Sequence, residues 1–119
     1  DNLKAIKKII NTNKLFGQWN DFVVNANWTS NIKEGFFKLW VNGKLVYHFV
    51  GRTVAPNDQI TMQFGIYRGA ARSSGDANHV VYYDEIRKAK SCKKLKLEKF
   101  GYFCKDLENQ KMEKIYKLQ

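Results

Sequence analysis

With 119 residues, a formal charge of +10 and 14% aromatic side chains, the chain is long enough for one domain with a modest core and too aromatic to remain disordered. No run approaches the roughly 18 apolar residues of a membrane-spanning helix, and no charged n-region followed by an apolar h-region marks a signal peptide. The basic balance implies an acidic partner: a uronate-containing or sulfated polysaccharide, a nucleic acid, or an anionic membrane surface.

Leu3, Ile6, Ile9 and Ile10 recur at helical spacing among lysines, so residues 1–16 read as a short amphipathic helix and linker. Gly17 to Asn20 is a turn. Phe22 to Trp28 then alternates, with Phe22, Val24, Ala26 and Trp28 on one face and Val23, Asn25 and Asn27 on the other, as in a half-buried strand. The clearest local signal follows: Asn42-Gly43 between two apolar alternating runs, Gly35–Val41 and Lys44–Val50, predicts a tight hairpin, because both turn residues tolerate positive φ. Counting outward from that turn sets Trp40 opposite Leu45 and Lys38 opposite Tyr47. Lys38, Trp40 and Tyr47 then share a face, and His48 falls on the more apolar one as a structural or edge histidine.

Pro56 lies in a loop leading to Thr61–Arg68, where Met62, Phe64 and Ile66 alternate with Gln63, Gly65 and Tyr67. Read as a strand, this stretch sets an amide, a gap and a phenol in a row, with about 7 Å between successive same-face residues. Such a face can hold a sugar ring: Gln63 can hydrogen-bond it and Tyr67 can stack on it or move a proton. The small, polar run Gly69–Asn78 borders a groove and carries Arg72. A last strand is expected over His79–Arg87, closing a β-domain at 17–88. Residues 89–119 read as a lysine-rich tail with a helix from Asp106 to Leu118. Cys92 and Cys104 have no nearby histidine to complete a zinc set, so a disulfide in a secreted protein and a pair of free thiols both stay open.

About five short strands with turns between them describe an all-β antiparallel sandwich or jelly roll with short terminal helices. The segments Gln18–Val24, Leu39–Lys44, Phe64–Arg68 and Val81–Arg87 occur in an order and spacing that resemble the C-terminal half of the heparin-lyase-I-like polysaccharide lyases. That resemblance implies a concanavalin-like jelly roll whose concave sheet binds an acidic polysaccharide and cleaves it by β-elimination, without a cofactor or metal. It implies Tyr67 as proton donor and possible base, with Gln63 where the family carries a lysine. An amide there supplies a hydrogen bond but no charge.

The reaction removes a proton beside a uronate carboxylate, so that carboxylate needs neutralising partners. Asn25, Gln63 and Lys38 are the candidates; Arg72, from the following loop, is the better candidate for a cation beside Tyr67, since adjacent Arg68 points to the other side of its strand, and Trp40 and Tyr47 are the stacking platforms. The resemblance covers half a jelly roll, so a second half, from the same parent chain or another copy, is expected, and the 119 residues read as a fragment or mature product of a secreted or periplasmic protein. A non-catalytic carbohydrate-binding sandwich is the alternative. Nucleic acid is suggested by charge and aromatics alone, with none of the recognition signatures.

Overall fold

The computed structural model describes residues 7–66 and 79–117. Its sheet is built outward from the Asn42-Gly43 turn, whose φ values of 51° and 83° are those the dipeptide was expected to supply. Strand β2 (Phe36–Val41) pairs antiparallel with β3 (Lys44–Val50) across this turn and with β1 (Phe22–Asn27) on its other side. Two residues near the C-terminus, β4 (Tyr116–Lys117), add a parallel pairing to β3, giving the order β1-β2-β3-β4. Among the described residues the helices are short, α1 (Cys92–Leu95) and α2 (Cys104–Asn109) with brief 3-10 turns, and the open sheet makes the protein all-β, in the form of a partial sandwich.

The register departs from simple counting at one point. Val41 pairs with Lys44 and Trp40 with Leu45, as the turn dictates, but a bulge follows, so that Leu39 pairs with Tyr47 and Lys38 with His48. Val46 is the extra residue. Because side chains alternate with period two, one inserted residue exchanges the faces of everything beyond it. Tyr47 therefore leaves the face of Lys38 and Trp40, and His48 joins it.

Three other expectations change. Residues 61–66 and 79–89 are irregular and form no ladder with a described strand. Their alternating apolar side chains stay in the open, with Met62 and Phe64 more than half exposed and the Phe64 and Tyr83 rings 5.2 Å apart. Alternation supplies two faces, but a strand also needs a neighbour for its N–H and C=O groups. At the C-terminus, α2 stops at Asn109, because Gln110 turns extended and gives its side chain to the hairpin. Its Oε1 accepts from the Leu45 N–H (2.8 Å) and its Nε2 donates to the Gly43 carbonyl (2.7 Å). Gln110 thus caps one β3 donor and one turn carbonyl at the hairpin end of the edge that β4 does not reach. At the N-terminus, residues 7–10 are not helical and a 3-10 turn, Thr12–Lys14, follows; Leu3 and Ile6 lie outside the described residues.

The lysine-rich C-terminal stretch is built into the core. Cys92 and Cys104 form a disulfide. Leu97 and Leu107 turn inward to join Trp40 and Leu45 in one buried cluster, with Val23, Leu95, Tyr102 and Met112 around it. Trp40 is 3% exposed, and its indole N–H donates to the Leu107 carbonyl at 3.1 Å. Tyr102 donates to Asp21 at 2.6 Å, a bond that, with burial and the carboxylate charge, pushes its phenol up to about 12. A Cβ on Gly43 would lie 2.8 Å from the Tyr102 ring, so that position needs glycine for space as well as for φ.

Replacing Trp40 by Phe removes the indole donor and leaves the Leu107 carbonyl buried without that partner. A loss of about 1–3 kcal/mol in urea denaturation is expected, and wild-type stability would contradict the role given to this bond. Gly35→Ala tests a second contact, since its Cβ would fall 1.9 Å from the Gly51 carbonyl oxygen. Forcing these backbones apart should cost about 1–3 kcal/mol in the same measurement.

Candidate functional site

The bulge sorts one face of the sheet into three rows. Val23, Trp40 and Leu45 form the row nearest the hairpin turn and lie under the C-terminal segment. Next come Asn25, Lys38 and His48, directly paired on three neighbouring strands, and beyond them Asn27, Phe36 and Val50. At a strand spacing of about 4.8 Å, the row Asn25-Lys38-His48 spans about 10 Å.

An open groove of ≈ 290 Å³ follows these rows, lined by Asn25, Lys38 and His48 with Phe36, Val50 and the Lys33–Gly35 turn. Its rim is fixed by backbone. The Gly51 N–H donates to the Gly35 carbonyl (2.9 Å), and the Asn27 side chain donates to the Glu34 carbonyl (3.0 Å). Thr53 ties the exit of β3 to the exit of β1: its hydroxyl donates to the Asn27 carbonyl at 2.7 Å and accepts from the Thr29 N–H at 2.8 Å. This corner lets the 28–35 loop rise beside the groove without leaving its polar groups unpaired.

Partial burial holds the His48 pKa below the usual 6.5, and the neighbouring Lys38 ammonium acts in the same direction. At neutral pH the imidazole is therefore uncharged, and one ring nitrogen can accept a proton. Lys38 contributes a cation and Asn25 an amide from the adjacent strands, a set suited to a ligand bearing a carboxylate and an exchangeable proton.

Of the residues singled out in the sequence, Asn25 and Lys38 meet in this groove. Trp40 stands on the same face but is buried under Leu97 and Leu107, with no ring face open to a ligand. Tyr47 is on the opposite face, in an aromatic series running Trp28, Phe37, Tyr47 and Tyr116 with ring centres 5.2–6.1 Å apart. Burial and the neighbouring Tyr116 push the Tyr47 phenol above its ordinary range. Gln63 is exposed in the irregular 61–66 stretch. Tyr67 and Arg72 lie outside the described residues. His48 is the groove residue that residue counting put on the wrong side, because the bulge at Val46 interrupts the count.

Among the described residues one cluster has metal-ligand chemistry, Cys92, Cys104 and Glu108. Its sulfurs are joined in the disulfide and offer no thiolates. No helix among the described residues is long and apolar enough to cross a membrane.

No curated protein and no solved structure gives a significant match to the chain. A family model for polysaccharide lyases matches residues 4–87, a stretch that holds β1, β2, β3 and all three members of the Asn25-Lys38-His48 row, and the chain accordingly belongs to the polysaccharide lyase family.

Proposed function

We propose that this chain is part of a lyase that binds a uronate-containing polysaccharide across the Asn25-Lys38-His48 groove and cleaves it by β-elimination. The observation that carries the proposal is that row itself: an amide, a cation and a neutral imidazole side by side on one sheet face, in a polysaccharide lyase.

Lys38 and Asn25 bind the uronate carboxylate, drawing charge onto it as the adjacent C–H bond weakens. His48, neutral at pH 7, takes the proton from the carbon next to the carboxylate. The electron pair left behind forms a carbon–carbon double bond, the bond from the next ring carbon to the glycosidic oxygen breaks, and that oxygen takes a proton from the Tyr67 phenol. With His48 as base, Tyr67 serves as acid alone, so a phenol with an ordinary pKa near 10 suffices. Gln63 and Arg72 are further candidates for contact with the polymer. A second β-layer, from the parent chain or another copy, covers the apolar face that carries Phe22, Val24 and Trp28, each about half exposed. The disulfide suits an oxidising compartment, so the protein works outside the cytoplasm.

The test is the ultraviolet absorbance of the unsaturated product, measured on acidic polysaccharides with the parent protein. His48→Gln is expected to lower kcat by about 10²–10⁴-fold. Tyr67→Phe should fall within the same range, and Lys38→Gln should lower kcat/KM by weakening transition-state binding. Saturable polymer binding with no product from the wild type would leave the non-catalytic binding module in place of the lyase.

A pH series adds a second check. Because burial and Lys38 disfavour the imidazolium, the base form persists below pH 6.5, and kcat/KM should fall only as pH drops through a pKa lower than 6.5. The same depression makes the fold gain stability from His48 as pH rises toward 6.5, since there the unfolded chain binds the proton more tightly. A profile whose acid limb is unchanged in His48→Gln would remove His48 from the proton-transfer role.

A further inference from the structure

The lysines beyond the family-matched stretch are mounted beside the groove. Between Lys88 and Lys105 the chain has seven lysines and one acidic residue, Glu98. The family match ends at residue 87. Several features hold this segment as a rigid knuckle: the Cys92–Cys104 disulfide, Leu97 and Leu107 buried against Trp40, and Arg87. The Arg87 guanidinium donates to the Leu95 carbonyl at 2.6 Å, pairs with both Glu85 carboxylate oxygens at 3.1–3.2 Å and lies 4.9 Å from the centre of the Phe100 ring. With the leucines inward, Lys93, Lys94, Lys96 and Lys99 are all exposed. Among the described residues the one ion pair is Arg87–Glu85, so none of the four is neutralised there.

The position of the knuckle matters as much as its charge. Its apolar side sits on Trp40 and Leu45, and Trp40 is two residues along β2 from Lys38, about 7 Å away on the same face. The knuckle therefore stands at one end of the groove.

We propose that the disulfide-closed lysine knuckle is an accessory binding surface for an acidic polysaccharide, engaging the same polymer chain that occupies the groove and selecting for long substrates. This rests on the reading of the groove given above. A polymer held at the groove presents its next acidic units to the knuckle at high effective concentration, so the second contact adds affinity that a short oligosaccharide cannot gain. Arg87 is the last arginine in the chain, and every basic side chain after it is lysine. Compact, hydrated ammonium groups suit the spaced carboxylates or sulfates of a hydrated polysaccharide, whereas the bidentate readout of nucleic acids favours arginine.

The experiment combines Lys93→Gln, Lys94→Gln, Lys96→Gln and Lys99→Gln in the full chain and measures direct binding of polyglucuronate and of a glucuronate trisaccharide across a salt series. Relative to the wild type, Kd for the polymer is expected to rise about tenfold or more with a shallower salt dependence, while the trisaccharide Kd stays the same. Unchanged polymer affinity and salt dependence, in a variant that keeps the wild-type thermal midpoint and its disulfide, would overturn the proposal. So would competition by duplex DNA or phosphatidylserine vesicles as effective as that of polyglucuronate at equal charge. Binding is read without turnover, so loss of polymer affinity in a protein that releases no unsaturated product upholds the knuckle and sinks the lyase chemistry alone.

Discussion

The hydrogen bond from the Trp40 indole to the Leu107 carbonyl is the interaction on which the rest of this structure depends. It joins residues 67 positions apart, and around it Leu45, Leu97 and Leu107 complete the buried cluster. A sheet with so few strands cannot bury both of its faces by itself, and the C-terminal segment covers one end of one face. The polar links around the cluster work in the same direction. Gln110 pairs with the hairpin edge and Tyr102 with Asp21, so the groups at the turn are satisfied while the leucines exclude water behind them. What the knuckle leaves uncovered becomes the groove.

The chemistry of that groove follows from a single inserted residue. Without the bulge at Val46, Lys38 would lie beside a tyrosine and His48 would lie among apolar side chains on the other face. With it, an ammonium and an imidazole are neighbours, and the lysine charge adds to burial in disfavouring the imidazolium. One cation and one base is the division that proton abstraction beside a carboxylate requires, and two adjacent strands supply it.

How much of this was legible in the residues depended on how local the cause was. Asn42-Gly43 declared the hairpin because its preference for positive φ is a property of those two residues. The alternation of β1 was equally plain. The bulge was not, because Leu45, Val46 and Tyr47 all fit a strand, and only packing of Leu45 against Leu97 and Leu107 distinguishes the pairing that forms. Trp40 looked like a sugar platform for the same reason: its burial comes from residues more than fifty positions away. Met62, Phe64 and Ile66 show the converse case, in which alternation predicts a core-facing strand but no described neighbour completes a ladder and the three side chains stay exposed. The groove residues Asn25 and Lys38 were visible from strand parity within β1 and β2, which no bulge interrupts.

The position of Trp40 also couples two parts of the chain that sequence composition separates. Trp40 and Lys38 are on one strand and on one face, and a paired strand does not let residues two apart move independently. The lysine-rich segment beyond the family-matched stretch is thus packed on the strand that carries Lys38.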